Sequence, residues 1–127
     1  MKELFLSEQH LSNFTTMTLE LGFKDMNDPY WRSLTFILAG DEKLFSNRHS
    51  LIEFKSKSIN SDTWFTGSFS DGEQRLLGLA YNLFTNRDFF EFDNGDKYFI
   101  SPLDIFSGLD QYSYELAKNA IDIRLKY

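Results

Sequence analysis

Apolar residues recur at helical spacing along most of this chain, and each run is bracketed by start and stop residues. Ser7 precedes Leu11, Phe14, Thr18 and Leu21, which share one helical face, and Gly22 is a natural terminus. Asp28-Pro29 gives a second start, with Asp as cap and Pro in the first turn. Trp31, Leu34 and Leu38 then line one face until Gly40. Leu44-Phe45 and Leu51-Ile52-Phe54 predict two short helices joined at Ser46-Asn47. From Ser56 to Gly67 the pattern is polar, interrupted by Trp64-Phe65, and predicts no element.

The next run is the most apolar. Ser70-x-x-Glu73 reads as a capping box, and Leu76, Leu77, Leu79, Ala80, Leu83 and Phe84 give a wide apolar face. A helix of that kind is covered on several sides. The grammar then changes. Phe89, Phe90 and Phe92 precede Asn94-Gly95, and Tyr98, Phe99 and Ile100 follow it. Asn-Gly favours a two-residue hairpin turn, which would pair Phe92 with Lys97 and Phe90 with Phe99, docking the hairpin through Phe90, Phe92 and Phe99. Ser101-Pro102 restarts helix with Leu103 and Phe106 as anchors, and Gly108 ends it. Asp110 caps a last helix with the stripe Tyr112, Leu116, Ala120 and Ile123, widened by Ala117 and Ile121. The predicted fold is mainly α: a compact bundle of five or six helices around a central apolar helix, Ser70 to Thr85, with one possible short β-hairpin. Residues 1–127 are expected to form a single helical domain.

Several of these segments also form a sequence pattern. Phe5 and His10 open the chain, and Phe36-Ile37-Leu38-Ala39-Gly40 and Ile52-Glu53-Phe54-Lys55 follow. Then come Trp64-Phe65-Thr66-Gly67, Leu79-Ala80-Tyr81-Asn82-Leu83 and Ser101-Pro102-Leu103-Asp104-Ile105-Phe106. In this order they resemble a family of small bacterial proteins catalogued only as a domain of unknown function. Two positions depart from that family's pattern: the Phe-to-His spacing is one residue longer, and Ile52 replaces an aromatic. The resemblance spans most of the chain. It implies a compact, mainly helical unit and no particular reaction.

Composition narrows the function. The 14 phenylalanines first predict an aromatic-rich core. There are no cysteines, which excludes disulfides, zinc–thiolate sites and thiol nucleophiles and fits a reducing, cytoplasmic setting. No apolar run reaches the roughly 20 residues a bilayer span needs, and Met1-Lys2-Glu3-Leu4-Phe5-Leu6 is too short and too acidic for a signal sequence. The net charge of −6 disfavours binding to phosphate backbones. Much of the excess is local: Asp88, Glu91, Asp93, Asp96, Asp104 and Asp110 stand against Lys97 alone.

Candidate chemistry is sparse. His10 and His49 are the side chains that titrate near neutrality. Each sits beside polar residues, which predicts a surface or helix-cap position, and neither has metal-ligand spacing around it. Asp93-Asn94-Gly95-Asp96 fails as a calcium loop, because a glycine at loop position six would put Phe90 and Phe92 where ligands belong. Gly67 to Gly72 lacks the lysine and glycine spacing of a phosphate loop. Asn13-Phe14-Thr15 matches a glycosylation acceptor but lies inside a predicted helix. Trp64 and Phe65 either plug the core from a loop or form an exposed anchor for a partner.

These features point to a non-catalytic protein-interaction module that needs no cofactor or metal. Its candidate partner-binding residues are Trp64, Phe65, Asp88, Glu91, Asp93 and Asp96. The expected partner is a protein, with no direct nucleic-acid binding and no membrane. Two other readings stand beside it. One is a small enzyme using His10 or His49 with a carboxylate that folding brings near. The other is an acidic mimic of nucleic acid that occupies a basic groove.

Overall fold

A computed structural model describes residues 4–126. Met1-Lys2-Glu3, weighed above as the start of a leader, lies outside the described residues. Within them the chain runs through seven α-helices and two small antiparallel hairpins: α1 (Glu8–Glu20), α2 (Pro29–Gly40), α3 (Glu42–Ser46), α4 (Arg48–Leu51), β1 (Ile52–Glu53), β2 (Ser58–Ile59), α5 (Asp71–Thr85), β3 (Phe89–Glu91), β4 (Lys97–Phe99), α6 (Pro102–Ser107) and α7 (Gln111–Lys126). The architecture is mainly α, as the periodicity predicts, with α3 and α4 taking the helix number past five or six.

Start and stop signals act where the sequence places them. The Ser7 hydroxyl accepts the His10 N–H at 3.0 Å. Gly22, at φ +76°, ends α1 with paired bonds from Gly22 N–H to Leu19 O (3.0 Å) and Phe23 N–H to Thr18 O (3.2 Å), the Schellman arrangement. Asp28 Oδ1 accepts the Tyr30 N–H at 2.9 Å. The capping box closes reciprocally: Ser70 N–H donates to Glu73 Oε1 (2.9 Å) and Glu73 N–H to Ser70 Oγ (3.3 Å). Asp110 Oδ1 accepts the Ser113 N–H at 2.8 Å.

The central place expected of residues 70–85 belongs to α2. Every residue from Trp31 to Gly40 is buried, and α1, α5 and α7 all pack on this helix. The reason is compositional: no charge falls between Ser33 and Gly40, and a helix apolar on all sides is stable only when covered on all sides. Helix α5 instead carries Asp71, Glu73 and Arg75 in its first turns, although Leu79, Ala80 and Leu83 are buried as its pattern predicts. Gly40 marks the closest approach: a Cβ there would overlap Leu116 of α7 and come within 3.0 Å of His10 Nε2.

The stretch from Ser56 to Gly67, expected to hold no element, contains β2 and a short 3₁₀ turn, Ser61–Thr63. Three further expectations are corrected. Residues 51–54 leave the helix at Ile52, which pairs with Ile59 in a short hairpin, in keeping with a β-branched residue. On α6 the buried anchor is Ile105, whereas Leu103 is 78% exposed. The third concerns the register of β3–β4, which pairs Phe89 with Phe99, Phe90 with Tyr98 and Glu91 with Lys97. Gly95 N–H bonds Phe92 O (2.9 Å) and Phe92 N–H bonds Asp96 O (2.8 Å), with Gly95 at φ +91°. That is a three-residue loop with a left-handed glycine, not a two-residue turn, and one residue of slip exchanges the faces of the partner strand. The hairpin therefore docks through Phe90, Phe92 and Tyr98, and Phe99 turns outward.

Candidate functional site

His10 sits inside the bundle, not at the surface. It is 1% exposed and lies between the rings of Phe5 (4.9 Å) and Phe36 (4.4 Å). Leu6 N–H donates to its Nδ1 at 3.1 Å, so that nitrogen carries no proton. Its Nε2 is 2.8 Å from Phe36 O, a carbonyl that only accepts, so Nε2 carries the hydrogen. The imidazole is thus held neutral as one tautomer. Burial lowers its pKa below 6.5 and outweighs the opposing effect of the Phe36 carbonyl. Both nitrogens are engaged by backbone, which leaves neither to serve a substrate.

His49 has the contrasting environment. Its side chain is 61% exposed, and Nε2 lies 3.5 Å from Glu20 Oε2. Folding does bring a carboxylate to this histidine. The same carboxylate is gripped by Arg48, through Nε at 2.7 Å and Nη2 at 3.0 Å. Hydrogen bonding from Arg48 lowers the Glu20 pKa, making it a weaker base. Among the described residues, no three His, Asp or Glu side chains gather as a metal site would require.

Trp64 and Phe65 are not a surface anchor. Trp64 is fully buried, and its Nε1–H donates to Leu51 O at 2.9 Å. Its own carbonyl accepts from Gln74 Nε2 at 3.0 Å. Phe65 stacks on Tyr98 (5.0 Å) and meets Phe90 (4.8 Å) and Tyr81 (5.7 Å). A tryptophan whose one polar atom finds a partner inside can be buried without penalty, and the loop fastens α4, α5 and the hairpin together.

The acidic segment is arranged differently. Asp88, Glu91, Asp93, Asp96, Asp104 and Asp110 are all exposed. At the tip, Asp96 N–H bonds Asn94 Oδ1 at 2.9 Å, which fixes the loop that carries Asp93 and Asp96. On the outer face, Lys97 stands 4.8 Å from the centre of the Phe89 ring. Apolar surface lies among these charges: Phe99 is 67% exposed and Leu103 78%. Beside them Arg75 pairs with Asp71 at 2.8 Å and passes across Gly108, where any side chain would collide with its guanidinium. The sequence pointed to these carboxylates but not to Phe99 or Leu103, because it placed one in the hairpin's docked face and the other among the α6 anchors.

The chain belongs to DUF6075, a family of unknown function. The family's model matches residues 1–127. No curated protein and no solved structure matches the chain. No helix among the described residues is long and apolar enough to cross a membrane.

Proposed function

We propose that residues 1–127 form one helical, non-catalytic protein-interaction module that works in the cytoplasm. Its contact face is the β3–β4 hairpin with α6, and its partner is a protein with a basic surface. The observation that supports this reading is the exposure of all six carboxylates between Asp88 and Asp110 together with Phe99 and Leu103. A cluster of one sign raises the rate of encounter with an opposite surface, and exposed aromatic and aliphatic side chains supply short-range contact once it is met. An acidic face disfavours direct binding to nucleic acid for the same reason.

The test is retention of proteins from a native extract on the immobilised chain, compared with a Glu91→Gln, Asp93→Asn, Asp96→Asn variant. The expected result is a basic protein retained by the wild type and weakened by salt. With the variant it associates more slowly, most visibly at low ionic strength, while dissociation changes less. Equal association rates at low salt would remove the steering role.

A further inference from the structure

Helices α5, α6 and α7 leave a groove of about 290 Å³ between them, walled by Leu79, Leu83, Ile105 and Ile121. Leu125, 71% exposed, stands at its rim. That volume lies at the small end of the roughly 300–1,000 Å³ common for small-molecule sites. The polar lining gathers where α5 ends, at Asn82, Asn86 and Arg124. Among the described residues no carboxylate lines the groove, and Arg124 is its one charged group.

Arg124 is held in a fixed orientation. Its Nε donates to Leu83 O at 2.9 Å and its Nη2 to Asn86 Oδ1 at 3.0 Å, and its guanidinium lies 3.9 Å from the Tyr30 ring centre. Those two bonds use two of the five N–H donors of a guanidinium. Both acceptors are uncharged oxygens, and among the described residues Arg124 forms no ion pair. The cation is therefore oriented by the protein while its charge is left unanswered. An apolar groove with one such cation at its end is the complement of an apolar molecule with one acidic end. The planar fork of a guanidinium suits a carboxylate, which accepts from two of its N–H groups at once. An amine of the same shape would be repelled, and an alcohol would leave the charge as it was. We infer that the groove binds a small aliphatic carboxylate, its tail along Leu79, Leu83, Ile105 and Ile121 and its head on Arg124. This binding does not depend on the contact face proposed above.

The test is nuclear magnetic resonance on the ¹⁵N-labelled full chain with octanoate, octanol and octylammonium, each kept below the concentration at which it aggregates. Octanoate should shift the Leu83, Ile121 and Leu125 amides in a saturable way. It should bind about tenfold or more tightly than octanol, since a hydrogen bond to a charged group is the difference between them, and octylammonium should bind more weakly still. Arg124→Gln should bring octanoate down to the affinity of octanol and leave octanol unchanged, a split that a loss of packing alone would not produce. Ile121→Trp, which fills the groove, should remove the binding of octanoate. Octanol or octylammonium binding as tightly as octanoate overturns the inference, and these two comparisons stand on the wild-type chain if a variant fails to fold. Groove amides that stay still, octanoate binding that survives Ile121→Trp, or equal shifts along the exposed Leu19 side of α1 overturn it too. Groove shifts that grow with protein concentration alone would place a second copy there and overturn it likewise.

Discussion

Trp64-Phe65 and Phe89-Phe90 are both pairs of adjacent aromatic residues set among polar neighbours, yet the fold treats them in opposite ways. The first pair follows directly on a short 3₁₀ turn, Ser61–Thr63, and both rings are buried. The second begins a strand, and its two rings part, Phe90 inward and Phe89 toward the surface with Phe99 opposite it. The difference lies in what each backbone permits. The loop makes a turn that lets both rings point the same way, and the Leu51 carbonyl waits for the indole N–H. The strand alternates, so one ring of each adjacent pair must face out. Aromatic density alone therefore does not separate core from contact surface, but local geometry does.

That contrast can be broken by substitution. Trp64→Ala should cost the most, roughly 3–5 kcal/mol, because it leaves a cavity and takes from the Leu51 carbonyl one of its two donors, with Asn60 N–H as the other. A denaturant melt measures it, and a loss below 1 kcal/mol would mean the loop is not part of the core. Phe90→Ala should cost about 3 kcal/mol, since its ring contacts Phe65, Tyr81 and Phe92. Gly95→Ala should cost about 1 kcal/mol through its left-handed φ, and the β3–β4 cross-strand contacts in a nuclear Overhauser spectrum should keep their register. Phe99→Ala should change stability by no more than about 0.5 kcal/mol. If Phe99→Ala proves as costly as Phe90→Ala, the two faces of the hairpin have been assigned the wrong way round.

Much of the bundle was legible because its signals are local. Ser7, Asp28, Ser70 and Asp110 cap helices through bonds to residues two or three positions ahead, so short-range grammar suffices. Even the burial of α2 has a local sign, the charge-free run from Ser33 to Gly40, which was outweighed by the longer apolar pattern of α5. What sequence could not show depends on partners distant along the chain. His10 is buried because the Phe36 carbonyl, 26 residues away, receives its proton. Trp64 is buried because Leu51, 13 residues away, accepts from its ring. The hairpin register turned on one torsion at Gly95, which Asn-Gly leaves open between two loop lengths.

The imidazole of His10 also makes acidity a test of how the fold begins. A proton added to Nδ1 would face the Leu6 N–H donor to donor, in a place closed to water. The folded chain resists that proton more than the unfolded chain does, as the lowering of its pKa below 6.5 expresses. Below pH 6.5 the unfolded state therefore binds more protons, so this part of the stability is complete above 6.5 and drains away as pH falls toward the folded value. The denaturant midpoint should drop on crossing pH 6.5 downward, and His10→Gln should flatten that slope. The Leu6 amide, bonded to this ring, should be among the first to exchange its hydrogen with solvent as acidity rises. The segment ahead of α1, held also by Asn119 Nδ2 on Leu4 O at 2.9 Å, would then loosen while α2 stays enclosed. A neutral ring at the start of the chain is thus a proton-sensitive fastening, and the order in which the molecule opens is set by which hydrogen that ring holds.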